Sequence, residues 1–179
     1  LSGNKIRLTQ DEGSGGTIIQ DSLNILRDSS SWYNVVVLFD NTSSSTLPEL
    51  YKIFVNGIDR TSTNTTISTE TPYINANGSS FKISGRWLNA PTQTVNGYLA
   101  NIHFIDGQIL DPTHFAHEHP STGRWSPKRY QGTYGNNGFH LEFKNNGTHT
   151  GVGGIGEDTS GNGNHWAVTG LAAHDIVPD

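Results

Sequence analysis

The sequence contains no cysteine and no methionine. Without cysteine neither a disulfide framework nor a thiolate metal site can form, so packing and hydrogen bonding must supply the stability. The absence of methionine even at position 1 implies that the 179 residues are a fragment of a longer product. Charge is sparse too: Lys and Arg total 11 against 16 Asp and Glu, for a net charge of −5. A nucleic-acid or anionic-membrane surface needs a basic footprint, which this balance does not provide. No apolar run approaches the roughly 20 residues of a membrane-spanning helix. Neutral molecules and other proteins are the expected partners, with neither nucleic acid nor membrane among them.

What the sequence does have is Gly, Asn, Ser and Thr, which favours short strands joined by many turns and leaves little room for helix. The length suits one domain spanning 1–179. Alternating segments rich in β-branched residues predict strands over 5–9, 17–26, 32–39, 51–55, 81–84, 95–106, 138–143 and 165–169, a rhythm that indicates an all-β sandwich or barrel. The unbroken run Val35 to Phe39 predicts a strand at the centre of a sheet, covered on both faces. Tyr51, Ile53 and Val55 alternate with Lys52 and Phe54, and Asn56-Gly57 predicts a two-residue hairpin turn with a return strand at 58–60. Residues 61–80 read as an exposed polar loop with one edge strand at most. Only 111–119 looks helical, a short connector with Asp111 as N-cap and Pro112 at the first helical position.

Three stretches resemble a known family: Ser31-Trp32-Tyr33-Asn34 leading into Val35 to Asp40, Tyr51-Lys52-Ile53-Phe54-Val55-Asn56-Gly57, and Gly97 to Gln108. Together they are similar to signatures of laminin-G-like and concanavalin A-like jelly-roll domains. Asp111-Pro112, Trp125 to Gly135, Gly138 to Phe143 and Asp158 to Trp166 resemble the version of this fold in virion structural and tail-fibre proteins of aquatic bacteriophages, cyanophages included. The resemblance implies a concanavalin A-like β-sandwich. One departure stands out: Leu141-Glu142-Phe143 and the Asp-x-Ser-Gly-Asn-Gly-Asn run open many such domains but here come last. Either the domain is circularly permuted or a second one begins near residue 138, and permutation is preferred because closing a sandwich removes exposed strand edges.

Residues with chemical potential are scattered. No nucleophile elbow, phosphate loop or His-Glu-x-x-His motif is present. Glucanases of this fold place paired carboxylates about 5 Å apart on a strand, whereas Glu142 stands alone on its own, so no catalytic residue is expected. His114, His117 and His119 read as a solvated connector. Asp158, Ser160 and Asn162 set oxygens at alternate positions with Gly163 following, the pattern of a weak calcium loop and equally of an Asx-rich turn; calcium is the one cofactor the sequence admits. Sugar binding needs aromatic faces beside amides or cations, which makes Arg86, Trp87, Asn89, Trp125, Tyr130 and Tyr134 the carbohydrate-binding candidates. Trp32 and Trp166 are expected to be structural anchors.

The resemblance implies a non-catalytic module on the virion surface, a fibre, spike or capsid decoration, contacting other virion proteins or a host-surface glycan and compatible with oligomerisation. A secreted bacterial carbohydrate-binding module or adhesin is the alternative.

Overall fold

The computed structural model describes residues 5–11, 17–23, 26–40, 51–66, 83, 97–170 and 175. Among them the chain is all-β: short antiparallel strands in several sheets, with almost no helix beyond a turn of 3-10 helix. Its residues group into two compact units, one of Leu1–Asn96 with Ile109–Tyr130 and the other of Gly97–Gln108 with Gln131–Asp179.

In the first unit β1 (Arg7–Asp11), β2 (Thr17–Ser22) and β6 (Thr61–Thr66) form one sheet, and β3 (Val35–Phe39), β4 (Tyr51–Val55) and β5 (Ile58–Asp59) another. The sequence placed β4 correctly. Tyr51, Ile53 and Val55 are buried on one face, Ile53 completely, each contributing about 1.5–3 kcal/mol of apolar burial. Asn56 and Gly57 take φ of 48° and 74°, the two positive values a tight hairpin turn requires. The chain then passes from one sheet to the other at Arg60, whose N–H donates to Ile53 O while its carbonyl accepts from Leu23 N.

The expected position of β3 is corrected. Among the described strands it pairs only with β4, and β4 holds the centre because the hairpin places β5 on its other side. Val36 is buried, but Val35 and Val37 on the opposite face are 41% and 40% exposed. Trp32 is likewise no anchor, with 65% of its surface in solvent. The 61–80 region begins with a real strand: β6 is built of β-branched threonines, which suit a pleated edge, and pairs with β2. The β2–β6 contact is polar inside. Buried Gln20 donates its amide to Asp21 O and Ser62 O, each at 2.9 Å.

The helical connector is shorter than expected. Asp111 caps it, its carboxylate accepting from Thr113 N, and Pro112 opens it, but the turn spans only Pro112–His114. Phe115 ends it, and Ala116–Glu118 (β8) pairs with Trp125–Pro127 (β9), neither of which was expected to be a strand. Ala116 is fully buried, so sheet pairing wins over helix continuation.

In the second unit Ile102–Phe104 (β7) pairs antiparallel with Phe139–Leu141 (β10). Both are shorter than expected. Asn101 at φ 50° blocks the strand before β7, and Phe143 at φ 58° ends the extension after β10, since left-handed backbone breaks the pleat. Phe139 stacks on Phe104 at 5.4 Å and meets the edge of Trp166 at 5.2 Å, so Trp166 does serve as an anchor. The 165–169 segment is irregular rather than a strand, tied by Trp166 N to Gly156 O. The 81–84 expectation lies outside the described residues except for Ile83.

Candidate functional site

The best-defined constellation is the polar network of the second unit, built on the glycine-rich turn 134–138 and the loop 158–165. Gly138 has no room for a side chain, because a Cβ there would sit 1.9 Å from Tyr134 O. Asp106 accepts from Asn137 N and Nδ2 at 3.1 and 2.9 Å, closing that turn onto the end of β7.

Asp158 is 5% exposed and forms a bridge with Leu141. Its carboxylate accepts four hydrogen bonds: Oδ1 from His140 N (2.8 Å) and Ser160 N (2.9 Å), Oδ2 from Ser160 Oγ and Asn164 N (both 2.9 Å). Burial raises its pKa, but the hydrogen bonds from His140, Ser160 and Asn164 outweigh it and hold the group below the usual carboxylate range. Asn162 Nδ2 donates to Gly135 O and Gly138 O, and Asn164 Nδ2 to Asn136 O and Gly138 O.

These distances decide how Asp158, Ser160 and Asn162 relate to calcium. A carboxylate offers about four lone-pair positions, and protein donors fill all four. Asn162 turns its N–H groups, not its oxygen, toward the neighbouring carbonyls, and Ser160 Oγ donates to Asp158 while accepting from Asn162 N. The three residues do come together, but as an Asx-rich lock on the 135–138 turn, and the donor set does not fit a calcium ion. Among the described residues no group of three or more His, Asp or Glu is placed to hold a metal; His114, His117 and His119 lie on the 3-10 turn, on β8 and just beyond it.

The carbohydrate candidates are held mainly by their own structural contacts. Trp125 donates its indole N–H to Asn34 Oδ1 at 3.0 Å and covers Gly57. Tyr130 is buried against Phe115, with ring centres 5.2 Å apart. Tyr134 sits beside His103 with its hydroxyl 2.9 Å from His103 Nδ1. Arg86, Trp87 and Asn89 lie outside the described residues. Glu142 pairs with Lys144 and lies 3.8 Å from His140 Nδ1.

No family model, curated protein or solved structure matches the chain.

His103 and His140 went unnoticed in the sequence. They face each other across the β7–β10 ribbon with rings stacked 4.1 Å apart. A signal was present, since each is the polar middle of an apolar triplet, Ile102-His103-Phe104 and Phe139-His140-Leu141. In paired strands such residues land on one face, opposite the Phe104–Phe139 stack.

Proposed function

We propose that the chain is a non-catalytic contact module of the concanavalin A-like jelly-roll kind, carried by the particle of a bacterial virus as a fibre, spike or capsid decoration. The resemblance of 31–40, 51–57 and 97–108 to concanavalin A-like domains supports the fold type, that of Asp111-Pro112, 125–135, 138–143 and 158–166 to phage virion proteins supports the virion setting, and the all-β architecture agrees at a coarser level. The observation that carries the non-catalytic reading is how the polar groups are used. Asp158, Asp106, Asn162 and Asn164 hold turns, and Glu142 is bridged to Lys144. Such fixation suits a surface that must hold its shape.

Immunogold labelling with antibodies raised against the chain tests the reading on virus particles from infected cultures of aquatic bacteria. Gold on capsids or tails is expected. Gold confined to the envelope of uninfected cells would favour a bacterial adhesin and overturn the virion assignment.

A further inference from the structure

His103 and His140 are register partners, and their rings lie within 10° of parallel. Tyr134 flanks the pair, its ring 6.0 Å from one imidazole and 6.1 Å from the other. His140 Nδ1 lies 2.8 Å from Thr159 Oγ1. The charged and titratable groups facing this pair are Tyr134 from the 131–137 segment and Glu142 beyond β10, the latter bridged to Lys144. From the 158–165 loop come Asp158, bonded to the His140 N–H, and His165, whose Nδ1 accepts from Asp158 N. Neutral imidazoles stack at this separation without penalty. Two imidazolium rings would repel, and one carboxylate already shared with a lysine does not offset both charges.

We propose that the His103–His140 stack is an acid-operated latch, whose protonation parts β10 from β7 and uncovers the Phe104–Phe139 face. Burial first, and then the neighbouring His140, push the His103 pKa down to about 4, against a weaker upward pull from Glu142. His103 is therefore neutral in the closed ribbon at neutral pH, whereas in an opened ribbon it titrates near the ordinary value of about 6.5. Between those two values the open form binds a proton that the closed form refuses, so acidification favours opening by up to about tenfold per pH unit. Below about 4 both forms carry the proton and the gain stops. The latch guards Phe139, which is buried against Phe104 and Trp166; opening it exposes aromatic surface and two strand edges, the features that recruit another chain.

Hydrogen exchange followed by mass spectrometry at neutral and mildly acidic pH, corrected for intrinsic rates, tests this on the whole chain. Peptides covering 102–104 and 139–141 should lose at least tenfold protection on acidification while those covering 51–55 do not. His103→Phe, which keeps a ring in the stack but cannot take a proton, should abolish the difference. Unchanged protection in the wild type, or an equal loss in His103→Phe, overturns the latch. Should that variant fail to fold, NMR titration of the wild-type histidines decides. A depressed His103 midpoint, with broadening of β10 resonances through the same pH range, supports the latch, and an ordinary midpoint with no change in β10 sinks it.

Discussion

The six-membered ring of Trp125 rests on the backbone of Gly57, so close that a methyl group added to that glycine would come within 2.6 Å of it. The same indole donates to Asn34 Oδ1, and Asn34 exchanges hydrogen bonds with Asn56, its N–H to Asn56 Oδ1 and its carbonyl from Asn56 N. One aromatic side chain thereby clamps the turn between β4 and β5.

Gly57→Ala should be costly twice over, for the positive φ and for the displaced ring, and a loss of about 2–3 kcal/mol is expected. Trp125→Ala, at a half-buried site, should lose a similar amount, about 2–3 kcal/mol. Urea denaturation curves measure both. A Gly57→Ala protein as stable as wild type would mean that the clamp is not formed in solution.

The Asp158 lock should behave as structure and not as a metal site. Asp158→Ala strands several donors at once, and a loss of about 2–4 kcal/mol from the second unit is expected. Thermal melts of the wild-type chain should superimpose in millimolar calcium and in chelator. A rise of several degrees with calcium, absent in Asp158→Ala, would restore the calcium reading.

How far the sequence revealed these features depended on how local they are. The β4 alternation, the Asn56-Gly57 turn and the Asp111-Pro112 start of the 3-10 turn each lie within a few consecutive residues, and all were legible. The strands β8 and β9 are only three residues each and carry His, Glu and Pro; their pairing is decided by each other and by the burial of Ala116. The two tryptophans exchanged roles for the same reason. Trp32, beside an apolar strand, was expected inside and is exposed, while Trp125, in a Ser-Pro-Lys-Arg context, finds a glycine 68 positions earlier in the chain. No local pattern announces a contact of that kind. The Asx turn of 158–164 was legible as a turn, but its target, the carbonyls of 135–138, was not.

Arg7 and Asp21 are opposite each other in the β1–β2 register and bond in a fork, Nε to Oδ1 at 2.6 Å and Nη2 to Oδ2 at 2.8 Å. The hydrogen bond from Arg7 lowers the Asp21 pKa more than burial raises it. A carboxylate with a depressed pKa stabilises the fold above its unfolded value of about 3.9 and loses that contribution as pH falls through the folded value. Arg7→Gln should therefore cost about 1–2 kcal/mol at pH 7, with the gap to wild type closing as Asp21 becomes protonated. Urea denaturation from neutral to strongly acidic pH measures it. A gap independent of pH would assign the loss to packing of the arginine stem.

Glu142 is bridged to Lys144, and the sequence sets no second acidic residue beside it on its own strand as a retaining glucanase would, so the chain should release no reducing sugar from laminarin or other β-glucans. Activity that disappears in Glu142→Gln would contradict the non-catalytic reading.

Arg60 gives the first unit a mechanical property. Its N–H is tied to β4 through Ile53 O, and its carbonyl is tied to the end of β2 through Leu23 N. The two three-stranded sheets meet here with no spare chain, and Ile53 N adds a further tie by donating to Thr61 Oγ1 at 3.0 Å. A pulling force that slides one sheet past the other must load those hydrogen bonds together. In a tethered module, the resistance of this junction would then rest on a short run of backbone, residues 60 and 61, as well as on the area of the sheets.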